Sequence, residues 1–319
     1  MSHNQRTRAW SGYWATGAGH SCAESFALTG DGAIASFWRE AFSRLPDRAC
    51  VVDLGTGNGG LLQVAWELRR PDQEWTLVGI DLAQPGPGWL VPALHGQWVR
   101  LHGGTPMEEL PLADASADLL VSQFGVEYAD RERVGQECLR VLAPGGGLAF
   151  VLHHAASAVT AAARDESRAQ GELLGADGLL QATSALLPHL AAVRAGQAPR
   201  RDAEQARLTF NAAMRRAREL AQSLAVPDLL VDAINGLQQM LATTSLHAAA
   251  EQQRQLAVYA DDLAHARLRT DEQVACALDD AGLEAFLAPF REAGLALAPA
   301  PIHESVHLVG WAVSGRRSG

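Results

Sequence analysis

An apolar run that ends in an acid and breaks at once into glycines constrains this chain more than any other stretch: Val51-Val52-Asp53-Leu54-Gly55-Thr56-Gly57-Asn58-Gly59-Gly60. A second apolar run, Leu77-Val78-Gly79-Ile80-Asp81, also closes on a carboxylate. A strand, a tight turn, a helix and another acid-tipped strand make up a nucleoside-binding half of a doubly wound α/β sheet. Gly55 and Gly57 can take positive φ and, lacking a Cβ, let the backbone lie close to a ligand. Leu61, Val64, Ala65 and Leu68 share one stripe, so a helix follows the glycines. Asp81, at the carboxyl end of its strand, is placed to accept hydrogen bonds from both ribose hydroxyls.

Gly55, Gly57 and Gly60 also satisfy G-x-G-x-x-G, the dinucleotide fingerprint, which by itself discriminates poorly. Asp53 separates the alternatives. A carboxylate two residues before the first glycine repels a pyrophosphate, whereas it stabilises a ligand with a cationic ammonium group and no phosphate.

Four stretches, in order, then carry a family resemblance. Residues 53–59 (D-L-G-T-G-N-G) resemble the first motif of class I S-adenosylmethionine-dependent methyltransferases, and residues 78–82 their second. Residues 110–124 are similar to the L-P-F-x-D-x-S-F-D-x-V that leads into their fourth strand, and residues 139–148 to the L-R-V-L-x-P-G-G turn before the fifth. The likeness is nearest to the ubiquinone/menaquinone-type branch, and residues 306–313 resemble the family's last, antiparallel strand. It implies a seven-stranded Rossmann-like methyltransferase sheet, with S-adenosylmethionine as cofactor and S-adenosylhomocysteine as product. The cofactor contacts it implies are Asp53, Gly55, Thr56, Gly57, Asn58, Gly59, Asp81, Leu82, Gln123 and Phe124. Many relatives carry an acid in the loop before L-P that meets the adenine amino group. Here that loop is Gly103-Gly104-Thr105-Pro106-Met107-Glu108-Glu109, which leaves Thr105 or Glu108 for the polar contact and Met107 for the adenine face.

The chain has 319 residues, enough for one large domain or two small ones, and 48% of them are hydrophobic. A net charge of −10 with only 26 Lys+Arg argues against a nucleic-acid substrate. Cys22, Cys50, Cys138 and Cys276 lie far apart without metal-ligand spacing and read as reduced thiols of a cytoplasmic protein. The N-terminus lacks an apolar signal core, and no apolar run approaches the roughly 20 residues of a membrane span.

Four regions are expected. Residues 1–46 form an aromatic, glycine-rich N-terminal lid and a helix; residues 47–154 form the cofactor-binding core. Residues 155–269 form an Ala-rich helical insertion between strands five and six, and residues 270–319 the last crossover helix and strands six and seven. The insertion is too apolar along its stripes to be a linker, as Ala206, Phe210, Ala213, Met214 and Ala217 show. It reads as a cap over the carboxyl edge of the sheet or, alternatively, as a homodimerisation bundle.

Methyl transfer from a sulfonium needs alignment, exclusion of water and, for some acceptors, removal of a proton. Glu127, after strand four, and His153 and His154, at the end of strand five, are the candidate catalytic groups, and Tyr13, Trp14, His20 and Tyr128 the candidate substrate contacts. In an adjacent histidine pair one ring can pack inward while the other meets solvent. No third ligand lies near the pair in sequence, so no metal is expected. The leading expectation is methylation of a small, apolar or aromatic molecule. The alternatives are a non-catalytic S-adenosylmethionine-binding protein that recruits a partner, and an NAD(P)-dependent oxidoreductase.

Overall fold

The computed structural model describes residues 3–18 and 28–317. The chain divides into two compact units, one comprising residues 1–161 with 272–319 and the other residues 162–271.

The first unit is built on a seven-stranded sheet in the order β3-β2-β1-β4-β5-β7-β6. The strands are β1 (Arg48–Leu54), β2 (Glu74–Ile80), β3 (Val99–His102), β4 (Ala117–Gln123), β5 (Leu142–Leu152), β6 (Leu295–Glu304) and β7 (His307–Arg317). The first five pair in parallel, and β7 runs antiparallel to both β5 and β6. Alternate side chains of a strand go to opposite faces, and both faces of this sheet are covered. Val52, Leu54, Leu120, Leu148 and Phe150 pack in one cluster with Leu283, Phe286 and Phe290 of α11 (Asp280–Glu292). Val51, Leu119, Val121, Ala149 and Val151 pack in the other with Ile34, Trp38 and Phe42 of α2 (Ala33–Ser43) and Leu61 and Leu62 of α3 (Gly60–Leu68). Each of these fully buried apolar side chains contributes about 1.5–3 kcal/mol. Ahead of α2 lies α1 (His3–Trp14), and α4 (Pro92–His95) and α5 (Arg131–Val141) complete the helices between the parallel strands.

Pro299 and Pro301 suggest a short or bulged sixth strand. β6 runs the full length from Leu295 to Glu304, with its one irregularity at Ile302/His303. It is the edge of the sheet, so neither proline removes a hydrogen bond from a second neighbour. The crossover helix expected from residue 270 begins ten residues later. Asp279 caps α11 by accepting from the Gly282 N–H at 2.8 Å. Thr270 instead lies inside the long helix α10 (Ala249–Cys276), its hydroxyl donating to the Ala266 carbonyl.

The second unit is helical. α6 (Ala158–Leu174) leads into α7 (Leu179–Arg194), α8 (Glu204–Ser223), α9 (Asp228–Thr243) and α10. Leu173, Leu187, Ala213, Ala217, Leu230, Leu237, Leu256 and Leu263 form its own apolar core. The period read from Phe210, Ala213, Met214 and Ala217 is that of the buried face of α8.

Candidate active site

After β1 the backbone turns through Gly55, Gly57 and Gly59, all at positive φ. The N–H groups of Gly55 and Thr56 donate to the Ile80 carbonyl at 2.9 and 3.0 Å, and that of Gly59 to the Thr56 carbonyl at 2.8 Å. The Gly57 N–H donates to Asp81 Oδ2 at 2.7 Å. A phosphate cradle needs backbone N–H groups that point outward and unengaged. These four donors close on the protein itself. Gly55 also lies back to back with Gly125 in the loop after β4, where a Cβ on Gly55 would come 2.9 Å from the Gly125 Cα.

Two carboxylates line the cavity beside this loop. Asp53 is 2% exposed and accepts from the Thr56 hydroxyl at 2.6 Å. Burial pushes its pKa up to about 7, against the Thr56 hydrogen bond and with a further push from Asp81. Asp81 accepts from the Gly57 N–H through Oδ2 and from the Ala83 N–H through Oδ1, each at 2.7 Å. Burial raises its pKa as well, and the two backbone bonds work against that. The cavity measures about 370 Å³, within the range of small-molecule sites. Leu82, Met107, Gln123, Phe124 and Tyr128 line it together with Gly55 and Thr56.

α1 supplies another wall. Trp10 and Trp14, one helical turn apart, line the cavity, and the Trp14 ring lies where a Cβ on Gly57 would meet it at 2.6 Å. Asn58 Nδ2 donates to the Trp14 and Ala18 carbonyls at 2.9 Å each, and Asn58 Oδ1 accepts from the Gly86 N–H. Arg6 donates to the Tyr128 carbonyl at 2.8 Å and pairs with Glu272 at 2.8 Å, and the Trp10 indole N–H donates to the same carboxylate at 3.2 Å.

A buried polar cluster lies behind the cavity. Phe124 takes φ +52°, unusual for a bulky residue, and its ring lies 4.3 Å from that of His153. Glu127 sits in a short 3-10 turn (Val126–Tyr128), and Glu127 Oε1 accepts from the His153 backbone N–H at 2.9 Å and bonds His153 Nδ1 at 2.8 Å. Glu127 is 2% exposed and His153 fully buried. The Cys276 thiol joins them from the end of α10, one donor atom of each residue lying within 4.8 Å of the others. The Cys276 thiol donates to the Gln273 carbonyl at 3.4 Å; burial pushes its pKa up, with the neighbouring His153 and Tyr128 working against that.

The predicted residues are therefore distributed over several places. Asp53, Gly55, Thr56, Asp81, Leu82, Met107, Gln123, Phe124, Trp14 and Tyr128 meet at the cavity. Gly57, Asn58 and Gly59 shape the loop but lie beneath Trp14, the Trp14 and Ala18 carbonyls, and Trp89. Thr105 is held by the Asp81 carbonyl and leaves the cavity wall to Pro106, Met107 and Glu108. Glu127 and His153 stand behind the wall. His154 does not reach the cavity: successive residues leaving β5 face opposite ways, and its ring stacks on Trp311 with centroids 4.2 Å apart. Tyr13 packs edge-on against Trp10 and Trp14 outside the lining. His20 lies outside the described residues. Sequence reasoning missed Arg6, Glu272, Gly125 and Cys276 as parts of the site. The helical spacing of Trp10 and Trp14 was a usable signal for the cavity face of α1. No local pattern announces the other four.

Residues 52–150 match the family model described as a methyltransferase domain. Dimethylglycine N-methyltransferase of Parasynechococcus marenigrum is 36% identical over 118 residues, covering 36% of this chain and 41% of that protein. Malonyl-[acyl-carrier protein] O-methyltransferase of Methylococcus capsulatus is 37% identical over 112 residues, covering 33% and 38%. The chain thus spans about two fifths of the length of these curated relatives. Among solved structures, geranyl diphosphate C-methyltransferase from Streptomyces coelicolor is 18% identical with a TM-score of 0.32, covering 38% of this chain and 45% of that one. The likeness to methyltransferases is thus carried by residues 52–150, the β1-to-β5 part of the sheet that holds the glycine loop.

Proposed function

We propose that the whole chain is an S-adenosylmethionine-dependent methyltransferase acting on a small, apolar or aromatic molecule. The observation that carries the reading is an acidic cavity beside a glycine loop in which the N–H groups of Gly55, Thr56, Gly57 and Gly59 are already engaged. Such a site disfavours a dinucleotide, which brings phosphates and needs those donors, and favours a cationic nucleoside.

The residues fit the cofactor. Asp81 would hold the ribose hydroxyls and Asp53 the ammonium end, with Leu82 and Met107 against the adenine and Gln123 and Phe124 toward the sulfonium. When bound, S-adenosylmethionine supplies a methyl group activated by positive sulfur. The chain's part is to exclude water, align the acceptor and neutralise charge. Trp10, Trp14, Phe124 and Tyr128 give the remaining wall an aromatic character that suits a flat or apolar acceptor, as the resemblance to the quinone-type branch also suggests. The size of the cavity and the acidic balance of the chain speak for a small molecule rather than a nucleic acid. α1 serves as a lid, and the helical insertion over residues 155–269 as a cap or a dimer contact. No helix among the described residues is long and apolar enough to cross a membrane, and we read the protein as cytoplasmic.

Mass spectrometry of ligand released from the freshly purified protein tests the class. The reading expects a sulfonium or thioether nucleoside. A nicotinamide dinucleotide would overturn it.

A further inference from the structure

The cluster behind Phe124 has a shape the general reading does not use. Glu127 and His153 form a buried pair, and Glu127 Oε2 makes no hydrogen bond among the described residues. Glu127 Oε1 engages both the backbone N–H and the Nδ1 of His153, which fixes the ring and turns its Nε2 away from the carboxylate. Cys276 lies against the pair, and Tyr128, whose ring packs edge-on at 5.8 Å from that of His153, reaches from the cluster to the cavity. The same donor set could suggest a soft metal ion. The 2.8 Å contact between His153 Nδ1 and Glu127 Oε1 is accounted for by a hydrogen bond without an ion.

We propose that Tyr128, Cys276, His153 and Glu127 form a proton relay opening on the cavity at Tyr128, and that the acceptor is a hydroxyl or thiol compound, which must lose a proton on methylation, rather than a tertiary amine. This rests on the methyltransferase reading above. As the acceptor heteroatom bonds the methyl carbon, the carbon–sulfur bond of the donor breaks and its electron pair leaves with the thioether. The acceptor's proton passes to the Tyr128 oxygen and the Tyr128 proton to the Cys276 sulfur, while the thiol turns from the Gln273 carbonyl, on which it rests at 3.4 Å, to give its proton to His153 Nε2. The Glu127 carboxylate then faces an imidazolium, and the buried pair ends neutral overall. Tyr128 is the catalytic residue of this scheme; Cys276, His153 and Glu127 act through it.

The test uses the full chain and the variants Tyr128→Phe, Cys276→Ala and Cys276→Ser. Calorimetry with S-adenosylhomocysteine comes first. Transfer of labelled methyl from S-adenosylmethionine is then measured to a fixed panel of a phenol, a thiol and a tertiary amine. The relay predicts that every variant binds S-adenosylhomocysteine within about twofold of the parent. For the phenol or the thiol, Tyr128→Phe and Cys276→Ala lower kcat roughly 100-fold at little cost in KM, the scale of general-base catalysis. Cys276→Ser, whose hydroxyl still passes a proton, retains roughly a tenth of the parent rate or more, a rescue that a packing role would not give. The proposal is overturned by unchanged kcat in the first two variants, by equal loss in the Ser and Ala variants, by transfer to the tertiary amine alone, by no transfer to the panel from a protein that binds S-adenosylhomocysteine, or by stoichiometric zinc in the purified chain. Failure of the parent to bind S-adenosylhomocysteine would instead sink the methyltransferase reading itself.

Discussion

Two acids flank the loop after β4 in different physical situations. Asp53 lines the cavity, bonds a hydroxyl of its own loop and carries a pKa near 7 because burial works against its charge. Glu127 stands behind the wall, away from the cavity lining, and its partner is a histidine as buried as itself. The first can meet a ligand's charge directly, so its cost of burial is recovered when a cation binds. The second faces no cavity and is bonded within the protein. On the proposed reading the front of the site selects a ligand and the rear passes a proton, and both rest on one sheet edge.

The sharpest way to break the front half of this contrast is Asp81→Ala. It removes a charged acceptor from the ribose position and from the Gly57 and Ala83 N–H groups together. Affinity for S-adenosylhomocysteine should fall about 30-fold or more, about 2 kcal/mol. Unchanged affinity by calorimetry would remove Asp81 from the site.

Gly57→Ala should cost about 1–2 kcal/mol of folding stability in a denaturant titration, since the residue sits at φ +52°. The added methyl also meets the Trp14 ring at 2.6 Å. Combining it with Trp14→Ala should return the steric share and leave the backbone share. Strict additivity of the two would show that Trp14 does not lie on the loop in solution.

The pH dependence of binding separates the two acids more finely. Below about pH 7 Asp53 is mostly protonated in the free protein, and a cationic ligand must first displace that proton. The dissociation constant for S-adenosylhomocysteine should therefore rise as pH falls, approaching tenfold per unit, and level off above about pH 7. Asp53→Asn should flatten the profile. A slope that survives this substitution would assign the titration elsewhere.

That Asp53, the start of the glycine loop and Asp81 meet at one cavity was legible in the sequence because their geometry is local. Asp53, the glycine turns and Asp81 follow from two buried parallel strands, each of which must end where its apolar run meets an acid. What eluded it came from chain folding over long separations. Glu272 and Cys276 approach the site because α10 runs past the expected boundary at residue 270, and Ala-rich helices carry few stop signals before Asp279. His153 and His154 look equivalent in sequence, and only the strand's alternation places one in the core and the other on Trp311. That the loop N–H groups turn inward to Ile80 and Asp81 is a matter of register between β1 and β2, which no motif records.

The central claim, that this pocket takes an ammonium-bearing nucleoside without phosphate, is tested most directly by titrating one preparation with S-adenosylhomocysteine and with NAD in parallel. The account predicts saturable, stoichiometric heat with the thioether nucleoside and none with the dinucleotide. Tighter binding of NAD would contradict it.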